Sequence, residues 1–238
     1  MTSTNPAPQR PLLLGHRGAR EYAPENTFEA FELALTHGCD GFEFDVRSTA
    51  DRRLVIWHDA TLKRARIARA AYASLCERLQ GRKRAATGPV PLPCLEEVMA
   101  KFAERAYLNV EIKIAGIEKE IAEAVAAHPP RRGYLLSSFE PEVVLNLRAI
   151  NPELTVGWIV HERRLLAGWR NFDYQVLVAH HTLVSPALVN AVHEAGRKIF
   201  VWTVNRSRMM LQMTYWGVDA IISDDTRLLS STLGGSDR

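Results

Sequence analysis

Cysteine is scarce in this sequence: Cys39, Cys76 and Cys94 are the three present in 238 residues, with no C-x-x-C pair among them. An odd count without ligand-like spacing argues against both a disulfide framework and a zinc site, and reads as reduced, partly buried thiols. Long apolar runs are also missing. Nothing approaches the ~18 to 20 consecutive apolar residues of a membrane-spanning helix. The opening MTSTNPAPQR has no apolar core behind a basic stretch, so it does not read as a secretory leader. A cytoplasmic location without stable membrane insertion is therefore expected. The 12 prolines and 14 glycines are spread along the chain rather than pooled, so no linker or low-complexity tract appears. With 47% hydrophobic and 24% charged residues, disorder and fibrous repeats are excluded. One domain over 1–238 is the expectation.

What is present alternates. Short β-branched or aromatic runs mark strands at Leu12–Leu14, Gly41–Val46, Leu54–Trp57, Tyr107–Ile112, Tyr134–Leu136, Thr155–Val160, Gln175–Val178, Ile199–Val204 and Ala220–Ile222. Segments of helical periodicity follow nearly all of them. Helix starts are marked by Pro24-Glu25-Asn26 before Thr27–Thr36, by Ser138 to Glu142 around Pro141, and by Ser185-Pro186. Gly38, Gly196 and Gly217 stand where helices end, where a positive φ is needed. An internal echo joins Gly38 to Asp45 with Gly217 to Asp224, as G-x-D-small-apolar-x-x-D. Alternation of this kind implies a parallel sheet wrapped by helices. No glycine-rich G-x-G-x-x-G loop follows the first strand, which favours an α/β fold of the (β/α)8 TIM-barrel type over a doubly wound sheet.

One stretch, about 60–94, lacks strand signals and is far longer than the ~2 to 6 residues of an ordinary βα connection. It reads as an insertion in a βα loop. Eight basic residues fall in 61–92, Lys63, Arg64, Arg66, Arg69, Arg78, Arg82, Lys83 and Arg84, against the single acid Glu77. Such a patch on a chain of net charge only +3 suggests an anionic ligand nearby; a solvated helix face is the alternative.

Ionisable residues collect at strand ends. His16 and Arg17 follow the first strand, Glu43 and Asp45 lie on the second, His58 and Asp59 follow the next run, and Glu111 and Lys113 end Tyr107–Ile112. In barrel enzymes that rim carries the chemistry. Strand side chains alternate with period two, so Glu43 and Asp45 share a face, as do Glu111 and Lys113, while Phe42, Phe44 and Val46 point outward. Converging buried carboxylates repel one another, and one divalent cation, Mg²⁺ or Ca²⁺, held by Glu43, Asp45 and Glu111 is the natural remedy. The alternative is an ion-pair network with Arg17 and Lys113. His16 and His58 are candidate general acid and base, and Arg17 and Lys113 candidate phosphate binders. The combination describes a phosphodiester site.

These residues resemble the glycerophosphodiester phosphodiesterases, in particular the bacterial cytosolic type. The likeness rests on the ordered series His16-Arg17-Gly18, Pro24-Glu25-Asn26-Thr27, Glu43-Phe44-Asp45, His58-Asp59, Leu92 to Glu97, Asn109-Val110-Glu111-Ile112-Lys113, Ser137 to Glu140, Val201-Trp202-Thr203-Val204-Asn205 and Gly217-Val218-Asp219. It implies a barrel enzyme that hydrolyses glycerophosphodiesters, small molecules rather than nucleic acids, to sn-glycerol 3-phosphate and an alcohol. By the resemblance Glu43, Asp45 and Glu111 hold the metal, His16 and His58 are the acid–base pair, and Arg17 and Lys113 bind phosphate. It also implies that Glu25 orients groups near the metal or the first histidine and that Trp202 packs against the glycerol.

The sequence departs from that family after His58-Asp59. Leu62 to Ala70 replaces the usual Arg-Thr-Thr stretch and its glycines, which puts the alcohol preference in question and points towards anionic head groups. His180-His181 at the end of a predicted strand is a second oddity, while His37, His128, His161 and His193 carry no motif. A lysophospholipase D and a catalytically silent phosphate-binding barrel are the competing readings. The first lacks an apolar amphipathic helix in the insertion; the second has no use for two histidines. A zinc amidohydrolase is disfavoured because no His-x-His lies on the first strand.

Overall fold

The computed structural model describes residues 10–80 and 92–234; Arg82, Lys83 and Arg84 of the basic cluster lie outside these. The strands are β1 (Leu12–Gly15), β2 (Gly41–Ser48), β3 (Leu54–Ile56), β4 (Thr61–Leu62), β5 (Ala65–Arg66), β6 (Tyr107–Ile112), β7 (Tyr134–Ser138), β8 (Val156–Val160), β9 (Val176–His180), β10 (Lys198–Trp202) and β11 (Ala220–Ser223). Strands β1, β2 and β6 to β11 run parallel, each beside the next, and β11 pairs with β1 to close the ring. This is the (β/α)8 barrel.

Two expectations are corrected. The run Leu54–Trp57 is not a barrel strand: β3 lies antiparallel against the end of β2, Val46 opposite Ile56. The insertion does contain strands, because β4 and β5 form a tight hairpin whose turn residues Lys63 and Arg64 take φ of 43° and 70°. Both strands are two residues long, too short for a period-two signal. Of the described residues of the basic cluster, Arg78 sits on the α-helix Tyr72–Gln80 and Arg69 ends a single 3-10 turn, Ile67–Arg69. The solvated-helix reading therefore fails for Lys63, Arg64 and Arg66.

The helix boundaries follow from their capping residues. Thr27 accepts the amide of Ala30 to start Phe28–Thr36, and Ser185 accepts that of Leu188 to start Pro186–Glu194. Pro141 opens Pro141–Ile150. Gly38, Gly196 and Gly217 all have positive φ.

Alternation on β2 sorts the two cores. Phe42 and Phe44 face the helix layer, where Phe31 stacks on Phe42 at 4.3 Å and Phe102 meets it edge-on at 5.0 Å. Each such ring contributes about 2 kcal/mol by leaving water. Leu14, Leu135, Ile159, Val178, Phe200 and Ile222 fill the barrel interior. The close approach of β2 to β6 requires Gly41, since a Cβ there would lie 1.9 Å from the carbonyl oxygen of Tyr107.

The internal echo has a structural meaning at the N-terminal rim. Asp40 accepts the amide of Leu13 through its carboxylate at 2.8 Å and gives its own amide to the Leu13 carbonyl at 2.9 Å. Asp219 does the same to Ile199, at 2.8 and 2.9 Å. Gln175 repeats the clasp on Val156 with its side-chain oxygen. These three clasps tie strand starts to their neighbours and pair the amides of Leu13, Ile199 and Val156.

Candidate active site

The strands deliver their charged residues to one end of the barrel. Asp45 and Glu111 lie side by side in the register of β2 and β6, with Glu43 beside Asn109 one step further in. One oxygen from each of Glu43, Asp45 and Glu111 falls within 4.8 Å of the others. All three are buried, at 4%, 0% and 8% exposure. Glu43 Oε1 and Asp45 Oδ1 have no hydrogen-bond partner among the described residues. Orphaned carboxylate oxygens at such depth are costly. Converging oxygen donors of this kind fit a hard divalent ion.

The electrostatics say the same. Burial, Asp45 and Glu111 push the Glu43 carboxyl well above its ordinary range. Burial and Asp45 push Glu111 up to about 7. Burial acts on Asp45 too, but Lys113 and Arg17 beside it hold it below its ordinary value. Lys113 Nζ hydrogen-bonds Glu111 Oε1 and stands 3.4 Å from Asp45 Oδ1. Arg17 Nε is 3.3 Å from Asp45 Oδ2. The ion pairs considered as an alternative are thus real, yet two cations face three carboxylates, and Glu43 takes only the Arg17 amide, at 2.9 Å.

The loop after β1 is shaped for this. Arg17 has φ of 53° and Asn26 φ of 58°, a region non-glycine residues enter when their surroundings impose it. Gly18 follows at φ 81°, and a Cβ there would lie 2.6 Å from the Ala30 backbone, so the His-Arg-Gly turn packs directly on the first helix. Glu25 accepts from Arg17 at 2.8 Å and pairs with Arg20 at 3.0 Å. It orients the arginine and, among the described residues, bonds Arg17 and Arg20 rather than His16.

His16 stands beside the cluster, Nε2 3.9 Å from Glu43 Oε2. Its Nδ1 donates to Asp224 Oδ1 at 2.6 Å, and an ionised carboxylate only accepts, so Nδ1 carries the proton. Burial depresses the histidine below its ordinary value even against Asp224. The neutral ring therefore presents an unprotonated Nε2. His58 is more open; its Nδ1 meets Asp59 Oδ1 at 2.8 Å, and the Trp57 amide beside it donates to the Asp45 carbonyl. Trp202 lines the hollow between His16, Glu43 and Glu111 and packs edge-on to Phe139 at 5.5 Å and His180 at 5.2 Å.

Several contributors escaped the reading of the sequence. Asn26 donates to Asp45 Oδ2 at 2.8 Å. Asn109 is buried under Glu111 and accepts from Ser137 at 2.8 Å. Asp224, the His16 partner, is itself held by Asn205 at 2.6 Å. Asp224 occupies the place of Asp45 in the internal echo, which was the one available signal.

Comparison with known proteins gives the family. The profile of the "Glycerophosphoryl diester phosphodiesterase family" matches residues 16–228. The chain belongs to that family. Among its phosphodiesterase relatives, the "Glycerophosphodiester phosphodiesterase" of Caldanaerobacter subterraneus is 30% identical over 92% of this chain and 96% of its own. A phosphodiesterase of Oleispira antarctica, solved with the product sn-glycerol-3-phosphate, superposes with a TM-score of 0.80 at 26% identity, covering 95% of this chain and 98% of that one. The glycerophosphodiester phosphodiesterase of Agrobacterium tumefaciens gives 0.81 at 25% identity over 94% and 100%. Among the described residues, no helix of this family member is long and apolar enough to cross a membrane.

Proposed function

We propose that this barrel, acting as one domain, hydrolyses glycerophosphodiesters to sn-glycerol 3-phosphate and an alcohol with the help of one divalent cation. The observation that carries the reading is the meeting of Glu43, Asp45 and Glu111, two of them with buried unpartnered oxygens, beside a neutral His16. The product-bound Oleispira antarctica relative supports the substrate class. Three free thiols suit a reducing compartment such as the cytoplasm.

Glu43, Asp45 and Glu111 would hold Mg²⁺ or Ca²⁺. Bound there, the ion would supply positive charge against the negative charge that grows on the phosphoryl oxygens. Arg17 and Lys113, already turned into the cluster, bind the phosphate, the arginine through its planar fork and the lysine as a point charge. His16 Nε2 takes the proton of the attacking hydroxyl, and Asp224 stabilises the imidazolium that results. His58, at the open side, returns a proton to the departing alkoxide. Glu25 and Asn26 fix Arg17 and Asp45. Trp202 supplies an apolar wall for the glycerol.

The test is release of glycerol 3-phosphate from choline, ethanolamine, glycerol and inositol diesters, and of acylglycerol 3-phosphate from a lysolipid, with Mg²⁺ or Ca²⁺ and with excess EDTA. Turnover of the water-soluble diesters that EDTA abolishes is expected. Turnover unaffected by EDTA contradicts the metal, and no release from any diester contradicts the activity.

A further inference from the structure

The basic insertion is not used by the chemistry above, yet it forms a cavity next to it. Arg47, Ser48, Thr61, Arg66, Arg69 and Ile114 line this hollow. Its walls continue the segments that carry the site. Arg47 is the next same-face position on β2 after Glu43 and Asp45, Ile114 follows Lys113, and Thr61 lies three residues beyond His58. Arg47 Nε also donates to the carbonyl of His58 at 2.8 Å. A diester whose phosphate lies between Lys113 and His58 therefore has this cavity as a neighbour.

No acidic residue lines the hollow among the described residues, and the nearby chain from 61 to 92 offers only Glu77. Arg66 and Arg69 are exposed. Their backbone is anchored all the same: Ile67 between them is 1% exposed. The Ile67 amide donates to the Ala60 carbonyl at 3.1 Å, and the Ala70 carbonyl takes the Ala50 amide at 3.0 Å. Lys63, by contrast, is spent on the helix end, donating to the carbonyls of Arg78 and Leu79. Arg47 is balanced on its inner side by Asp45, Glu111 and Asp59, whereas the exposed guanidinium groups of Arg66 and Arg69 meet no carboxylate in the described lining of the hollow, and planar forks suit phosphate or carboxylate.

We propose that this cavity receives the alcohol moiety of the diester and that Arg66 and Arg69, with Arg47 at the inner end, select alcohols bearing an additional anionic group. The proposal rests on the phosphodiesterase reading given above. Two matched pairs test it: glycerophosphoinositol with and without a monoester phosphate on the ring, and glycerophosphoserine against glycerophosphoethanolamine, which differ by a carboxylate.

Wild-type kcat/KM is expected to favour the phosphorylated inositol diester over its parent by about tenfold, the carboxylate pair by less, and both ratios to shrink with added salt. Arg66→Gln and Arg69→Gln should each lower the ratios, and the double variant should bring them close to one. Both substituted positions are exposed, so folding is not at stake. Turnover of the parent diesters with a wild-type ratio of one or less overturns the proposal, as does a ratio unchanged in the double variant. A lysolipid preferred over every water-soluble diester, with that preference lost in the double variant, also overturns it by assigning the arginines to a lipid surface. Absence of glycerol 3-phosphate from all substrates would instead remove the underlying activity.

Discussion

The two ends of the barrel use the same acids in opposite ways. At the N-terminal rim Asp40 takes both terminal nitrogens of Arg10, at 2.7 and 2.8 Å, and the Leu13 amide. Asp219 takes His193 at 2.9 Å and the Ile199 amide. At the C-terminal mouth, a few residues beyond Asp40 along β2, Glu43 and Asp45 each keep a buried oxygen that accepts no hydrogen bond among the described residues. An acid whose buried oxygens are satisfied by the fold is there for the fold. An acid buried at a cost the fold does not recover marks a place where something else binds.

Substitutions should separate the two ends. The largest effect is expected from His16→Ala and Glu43→Gln. The histidine variant should lose about 100-fold or more in kcat with the fold retained, as the loss of a general base does. The Glu43 variant should lose metal binding together with turnover, yet melt at a temperature equal to or above that of the metal-free wild type, because a repelling charge is gone. A Glu43→Gln protein that melts lower while binding metal normally would make Glu43 a structural acid like Asp219. At the other end Asp219→Ala should cost about 1 to 3 kcal/mol in denaturant unfolding, having removed the acceptor of a buried amide, while kcat/KM stays near wild type.

Gly18→Ala comes next. It places a methyl group against the Ala30 backbone at a positive φ, and should cost at least about 1 kcal/mol. Because Arg17 precedes it, KM should rise with the loss of stability, whereas a stability loss without a kinetic one would detach the turn from the site.

A smaller effect sharpens the contrast through pH. Metal must displace the proton from Glu111, which burial and Asp45 push up to about 7 in the metal-free protein. A raised carboxyl holds its proton below that value, so metal affinity should fall as pH drops through it and be higher at about pH 8 than at about pH 6 by calorimetry. A pH-independent affinity would exclude Glu111 as a ligand. Smallest of all, burial raises the Cys39 thiol to about 12, so Cys39 should resist alkylation near neutral pH while half-buried Cys76 reacts, as peptide mapping would show.

The barrel was legible because its signals are local and repeated: β-branched runs, capping residues, and the glycines Gly38, Gly196 and Gly217 at return turns. Strand β3 was misplaced for a physical reason. A short apolar run reads the same whether it joins a parallel ring or folds back on β2. Within the site, the carboxylates and histidines were legible from alternation and strand ends. Their supports were not. Asn26 reaches Asp45 from a loop, and Asp224, itself held by Asn205, meets His16 from just past a strand more than 180 residues away in the chain, and no spacing rule connects such residues. The basic insertion was visible as charge, but its division into Lys63, used as a helix cap, and Arg66 and Arg69, turned to a cavity, required coordinates.

Calorimetric titration of Mg²⁺ and Ca²⁺ into chelator-stripped protein, alongside Glu43→Gln and Glu111→Gln, bears most directly on the central claim. Binding of a single ion by the wild type and none by either variant is the predicted result. Stripped protein that takes up no ion and still hydrolyses a glycerophosphodiester at full rate would contradict it.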